Sequence, residues 1–213
     1  MLIHLIRHAE TIDNVSKIIQ GQQDSKLTEK GIIQTKILAK YLAKFDIDKI
    51  YSSPQLRAKE TALIIASYLQ NKDIITLDEL KEIHLASWEK RYEHELLVDK
   101  DNTGFFVYKN NPGKFTPKCG EDFSMVQARM LKAIDYIIKE NKEDKEILVV
   151  SHSTAIRTLL LAIENKTFDT IWDYKIYPSS ITTLKYHMGK FWIERIGYIP
   201  ENKEVDYENI IST

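Results

Sequence analysis

The chain has one cysteine, Cys119, among its 213 residues, which excludes an intramolecular disulfide and suits a reducing compartment. No apolar run approaches the ~18 residues of a membrane span, and no basic segment leads into a long apolar one near the start. Neither a transmembrane helix nor a signal peptide is therefore expected. Excess charge of one sign is missing too: 30 Lys and Arg stand against 31 Asp and Glu. No global field gathers nucleic acid or anionic lipid, so affinity for an anion must come from a local site. A cytoplasmic protein with no nucleic-acid or membrane partner is the expectation, as a monomer or a homodimer.

Glycine is sparse, with seven residues, and none lies in a phosphate-cradling loop before Lys-Ser or Lys-Thr or in a dinucleotide fingerprint. A cysteine phosphatase needs Arg six positions after its nucleophile, but six after Cys119 stands Met125. Cys119 is read as an inert structural thiol. His4 and His8 are four residues apart on one strand, ~13 Å, too far to share an ion. His4 is read as a strand residue with a hydrogen-bond partner, while His84, His94 and His187 have no companions. No metal and no cofactor are expected.

What is present is alternation. With 43% hydrophobic and 29% charged residues, the composition is that of an ordinary globular chain, long enough for one sizeable core. The run from Leu2 reads as a buried strand, and Asn14 to Lys26 as a polar loop. Thr28 caps a helix predicted to run to about Lys44, with Ile32, Ile33, Ile37, Leu38, Tyr41 and Leu42 near helical spacing. Asp48 to Ser52 and Ile74 to Leu77 read as short strands. Between them Ser53-Pro54 looks like a helix start, ahead of Leu56, Leu63, Ile64 and Ala66. Asp122 to Asn141 is the clearest helix, its stripe formed by Phe123, Val126, Met130, Ile134, Ile137 and Ile138. Ile147 to Val150 reads as a buried strand leading to a helix from Ser153 to about Ile163. Ile181 to Tyr186 and Phe191 to Tyr198 form a hairpin turning at Met188-Gly189. Together they predict a three-layer α/β/α sandwich with a mainly parallel central sheet, one domain over 1–213.

The alternation lapses from about 83 to 121, where Trp88, Tyr92, Phe105, Phe106, Tyr108 and Phe115 stand among polar residues. A stretch this long inside a compact domain predicts a lid, here a mostly helical insertion over the carboxyl edge of the sheet. At least half of its aromatics are expected to form its own small core, and one or two to face a ligand.

The first strand ends in Arg7-His8-Ala9-Glu10-Thr11, at the sheet edge where open α/β folds bind ligands. Asp24-Ser25-Lys26-Leu27-Thr28 with Gly31 follows. Next come Tyr51-Ser52-Ser53-Pro54 with Arg57-Ala58 and Thr61-Ala62, then Leu80-Lys81-Glu82 with Trp88-Glu89. Gly120-Glu121 and Val149-Val150-Ser151-His152 complete the series. In this order the blocks resemble the histidine phosphatase superfamily, the phosphoglycerate mutase-like proteins, and look closest to its broad-specificity phosphatases. The resemblance spans residues 2 to about 186. It implies a phosphate pocket that includes Asn14, Gln20 and Gly21, and an acid in the segment of Glu82. The chain differs at Ala9 and Ala86, where glycine is frequent, and at Lys26 in place of proline. Ser153-Thr154 replaces a Gly-Gly pair, and Lys90 the glycine that often follows Trp-Glu. None of these changes removes a chemical group.

The residues fit phosphoryl transfer in their own right, since that reaction needs neutralised equatorial oxygens and an attacker in line with the leaving group. Arg7 and Arg57 can offer forked donors to a dianion. His152, at a strand end that opens a helix, adds another donor, and Ser153 its N–H. A neutral His8 is the candidate nucleophile, and Glu82 the candidate general acid and base, with Glu79, Glu89 and Glu121 as its nearest substitutes. The expectation is a metal-independent, acid-type phosphomonoesterase of broad specificity for small-molecule phosphates. A mutase using the same pocket and a catalytically dead phosphate-ester-binding module are the alternatives; a protein-phosphohistidine phosphatase is disfavoured by the insertion.

Overall fold

The computed structural model, which describes residues 1–99, 103–142 and 145–201, contains a six-stranded sheet. Its strands are β1 (Leu2–Arg7), β2 (Ile47–Ser52), β3 (Ile74–Thr76), β4 (Glu146–Ser151), β5 (Ile181–His187) and β6 (Lys190–Tyr198). The order across the sheet is β3-β2-β4-β1-β5-β6. β1, β2, β3 and β4 run parallel, and β5 pairs antiparallel with both β1 and β6. The helices are α1 (Ile12–Val15), α2 (Glu29–Leu42), α3 (Leu56–Ala66), α4 (Glu93–Val98), α5 (Thr103–Asn110), α6 (Phe123–Glu140) and α7 (Ser153–Glu164).

Side chains alternate across a strand, so the two central strands supply two cores. Ile3, Leu5, Ile147 and Val149 pack with α6 and α7 on one face. Ile6, Leu148 and Val150 pack with Leu38 and Leu42 of α2 and with Ala58, Ala62 and Ile65 of α3 on the other. Both faces are covered, which is why β1 and β4 read as near-continuous apolar runs. The register pairs Arg7 with Ser151, so the residues that follow, His8 and His152, leave the sheet side by side.

Several local expectations need correction. Thr28 does cap α2, accepting from the Gly31 N–H at 2.9 Å, but Ile33 faces outward. α3 begins at Leu56 rather than at Ser53-Pro54. Its inward face is mostly small, with Ala58, Thr61, Ala62 and Ala66 beside Ile65, because α3 packs closely against α2, and Leu56 and Leu63 are exposed. The polar loop after Glu10 contains α1, closed by a capping box between Thr11 and Asn14. Cys119 is exposed rather than structural. Residues 143–144, between α6 and β4, and the tail beyond 201 lie outside the described residues.

Between 83 and 121, Trp88, Phe105, Tyr108 and Phe115 pack with Phe123 of α6, ring centroids 5.1–6.0 Å apart. Tyr92 and Phe106 are exposed. Among the described residues no helix is long and apolar enough to cross a membrane.

Candidate active site

The carboxyl ends of β1, β2 and β4 meet at a cavity of about 210 Å³. Of the residues predicted from sequence, Arg7, His8, Asn14, Gln20, Gly21, Arg57 and Glu82 line it, whereas His152 and Ser153 do not. His152 lies fully buried behind His8, the ring centroids 5.1 Å apart. The Ser153 hydroxyl is held by the Arg157 guanidinium.

His8 has a fixed tautomer. Its Nδ1 lies 2.7 Å from the carbonyl oxygen of Ala9, so Nδ1 carries the proton and donates it there. Nε2 is left with a lone pair, which accepts from Arg57 Nε at 3.2 Å. Burial first, then Arg57 and Arg7, hold the His8 imidazole well below the usual histidine range, against the pull of the Ala9 carbonyl. A neutral ring that keeps a lone pair on Nε2 is the form a nucleophile requires.

The two arginines are held by main-chain carbonyls. Arg57 donates from Nη1 to Gln23 O and from Nη2 to Gly21 O, each at 2.7 Å. Arg7 donates from Nη1 to Ile176 O at 2.7 Å. Burial and the neighbouring Arg157 bring Arg7 down to about 10, still cationic at neutral pH. Three buried polar atoms here have no partner: Arg7 Nε, His152 Nδ1 and Gln20 Oε1. Buried polar groups are nearly always paired, so such a group of orphans marks a place for a polar ligand. The Gln20 amide would present its NH₂ to an anion after a half-turn, an assignment the hydrogen-bond network decides. Asn14 spends its Oδ1 on the Thr11 N–H and hydroxyl, which leaves its amide donors as the end that can meet an anion.

Glu82 reaches the cavity from the loop after β3. Its Oε1 accepts from Ile83 N at 2.9 Å and Ala155 N at 3.2 Å, and Oε2 from Thr154 N at 3.1 Å. Two of these donors are orphan amides of the first turn of α7, whose positive end suits a carboxylate. The substitutes are occupied elsewhere and do not line the cavity: Glu79 pairs with Lys132, Glu121 with Arg129, and Glu89 accepts from Gln22 N and Leu85 N.

Sequence reasoning missed the residues that hold this loop. Arg129 on α6 donates to the carbonyls of Glu79, Lys81 and Glu82 while pairing with Glu121. Gln55 accepts from Glu82 N at 2.7 Å and donates to Gly21 O at 3.1 Å, and Gln22 donates to Glu82 O at 3.0 Å. Arg129 looks like any cation on the polar side of an amphipathic helix. Gln55 sits two residues before Arg57 and offered the only local hint. Tyr108 also lines the cavity; burial pushes its phenol up, and its hydroxyl is hydrogen-bonded to the Thr154 side chain. It is the one aromatic among Tyr92, Phe105, Phe106, Tyr108 and Phe115 to reach the site. Among the described residues no group of three or more His, Cys, Asp or Glu side chains could hold a metal ion.

Residues 3–198 match the model of the histidine phosphatase superfamily, branch 1. A metal-independent phosphoserine phosphatase of Arabidopsis thaliana is 33% identical over 162 residues, covering 76% of this chain and 68% of that protein. Among solved structures, YhfR of Bacillus stearothermophilus superposes with a TM-score of 0.88 at 32% identity, covering 93% of this chain and 98% of that one. A phosphoserine phosphatase mutant of Entamoeba histolytica in complex with phosphoserine gives 0.80 at 26% identity, covering 93% and 97%. A strand-end Arg-His pair, a buried Arg57 and a matching sheet thus agree with the family model over nearly the whole chain: this protein belongs to branch 1 of the histidine phosphatase superfamily.

Proposed function

We propose that the protein hydrolyses small phosphomonoesters without a metal ion, through a phosphohistidine on His8. The observation that carries this reading is the His8 tautomer, whose Nδ1–H is tied to the Ala9 carbonyl while Nε2 points to Arg57 in the cavity. An arriving phosphate dianion takes over the Arg57 Nε–H and frees the lone pair. Arg7 Nε, unpartnered on a residue of the cavity wall, is the donor suited to the equatorial oxygens, whose charge must be neutralised in transit, while His152 backs His8 from outside that wall. Nε2 attacks phosphorus as the ester P–O bond breaks, and Glu82, which enters this step protonated, gives its proton to the departing alkoxide. Water then attacks phospho-His8, Glu82 takes its proton, and inorganic phosphate leaves from a regenerated imidazole.

We read 83–121 as the lid of this site. Phe105 and Phe115 are spent on its own core, so the aromatic contribution to selectivity reduces to Tyr108. The remaining wall of this cavity of about 210 Å³ sets the polar Asp13, Asn14, Lys17 and Glu93 beside Ile18, Ile19, Ile83 and Leu85. That supports small polar esters over bulky apolar ones, phosphoserine among them, in keeping with the named relatives. Acid-type behaviour, an optimum from mildly acidic to neutral pH, belongs to the same proposal.

The test is to quench the enzyme during turnover of ³²P-labelled phosphoserine and of p-nitrophenyl phosphate. Acid-labile, base-stable label on wild type, absent from a folded and inactive His8→Ala variant, is the expected result. Label on serine or cysteine, or activity in the variant, refutes the mechanism. Return of the label to 3-phosphoglycerate under mutase conditions would favour the mutase instead.

A further inference from the structure

Lys90 stands where the family resemblance led to glycine, and its backbone is in the left-handed region at φ +64°, a costly conformation for a residue with a Cβ. Its ammonium lies 2.8 Å from Asp13 Oδ2 and 2.6 Å from the Asp24 carbonyl oxygen. Asp13 is buried on α1 and lines the cavity beside Asn14. Its negative charge also bears on Arg57. A carboxylate in the wall of a pocket for a dianion works against binding, since like charges repel across a partly dehydrated gap.

We propose that Lys90 is a positioning residue for phosphate binding: it neutralises Asp13 at the cavity wall, so that a substrate dianion approaching Arg7 and Arg57 meets one opposing charge fewer. The proposal rests on the phosphate-ester reading above. Main-chain pairing brings Lys90 to its place, with Lys90 N donating to Ile19 O at 2.7 Å and Ile19 N to Arg91 O at 2.9 Å. The inserted segment thereby delivers a cation to the phosphate pocket from outside the motif that supplies the arginines.

A purely structural tie between the insertion and the pocket loop predicts a different pattern of variants, so the two can be separated. Lys90→Met, Asp13→Asn and the double variant are compared for binding of inorganic phosphate by calorimetry, and for KM and kcat on p-nitrophenyl phosphate, after thermal melts establish folding. Loss of Lys90 should weaken phosphate binding and raise KM by about three- to tenfold, with kcat within about twofold. Asp13→Asn should tighten binding, and the double variant should return to within about twofold of wild type. A structural tie gives the same sign for both single variants and no recovery in the double, which overturns the proposal; so does an unchanged KM in Lys90→Met. If Lys90→Met does not fold, Asp13→Asn alone decides, because weakened or unchanged phosphate binding contradicts the inference. Wild type that binds phosphate in this pattern yet hydrolyses no ester would sink the catalytic reading alone. Normal hydrolysis with the opposite pattern would sink only the role of Lys90.

Discussion

Replacing Glu82 with glutamine removes one proton-carrying oxygen and tests both the chemistry and the hydrogen-bond account of the site. The carboxylate accepts three backbone N–H groups, two at Oε1 and one at Oε2. Glutamine keeps one acceptor and turns an NH₂ toward at least one of those donors. A buried donor left unpaired costs about 1–3 kcal/mol, which for a chain of this size lowers the melting temperature by about 2–12 °C. The chemical effect is separable. A general acid contributes about 10²- to 10⁴-fold, and an alkyl ester such as phosphoserine needs all of it. The nitrophenolate of p-nitrophenyl phosphate leaves unaided, so its kcat/KM should fall by less than about tenfold. Glu82→Gln should therefore reduce the ratio of kcat/KM for phosphoserine to that for p-nitrophenyl phosphate by about 10- to 10⁴-fold. Equal losses on both esters remove Glu82 from the acid role. An unchanged melt refutes the accounting of its three donors.

His8 stays neutral until the pH falls well below 6.5, the ordinary histidine value, so kcat/KM should hold as the pH drops through 6.5; a fall centred there contradicts the burial argument. Arg57→Gln removes a positive neighbour and should move that acidic limb upward. The same shifts govern stability: His8 and His152 are both lowered from 6.5 in the folded protein, so below 6.5 the unfolded chain binds more protons. Each histidine's contribution is complete above 6.5 and is lost below it at up to about 1.4 kcal/mol per pH unit, measurable by urea unfolding at pH 7.5 and 5.5; equal stabilities would refute it. Activity should survive excess EDTA and be inhibited by vanadate, and loss with chelator that zinc or magnesium restores would reveal a missed metal site. Ala86 sits at φ +50°, so Ala86→Gly should stabilise by about 0.5–1 kcal/mol; a lower melting temperature would show that its methyl packing outweighs the strain.

The sheet was legible because β1 and β4 are buried on both faces, so β4 appears as an unbroken Ile-Leu-Val-Val run and β1 as an apolar run interrupted only by His4. α6 was legible for the complementary reason: one face meets the core and the other meets water. α3 was misread because its packing surface is mostly small residues, and a search for large apolar residues settles on Leu56 and Leu63, which face solvent. His8, Arg7, Arg57 and Glu82 were found as chemical groups, and they do share one cavity. Tyr108 stands in the sequence only as one of six aromatics, since nothing there distinguishes the ring beside Thr154 from those that pack together between 83 and 121. Arg129 was invisible, because its partners are carbonyl oxygens on a loop about fifty positions earlier.

The same physics accounts for the positions where this chain departs from its family. The reactive groups are oriented by main-chain atoms: His8 by Ala9 O, Arg7 by Ile176 O, Arg57 by Gly21 O and Gln23 O, and Glu82 by three N–H groups. Ala9 supplies a carbonyl as a glycine would, and its N–H is taken by Thr61. Lys26 contributes its carbonyl to Ile12 N at 3.0 Å, a bond that proline could also accept. Thr154 serves Glu82 through its N–H, which a glycine provides equally. At these positions a substitution keeps the backbone atom and leaves the site intact. Gly21 is the opposite case. A Cβ there would lie 2.1 Å from Glu89 Oε1, on a backbone at φ +50°, and moving Glu89 would disturb its bonds to Gln22 N and Leu85 N. Gly21 is therefore held to glycine by the packing that places its carbonyl under Arg57, whereas at Ala9, Lys26 and Thr154 the backbone atom used is one that the family's residue also carries.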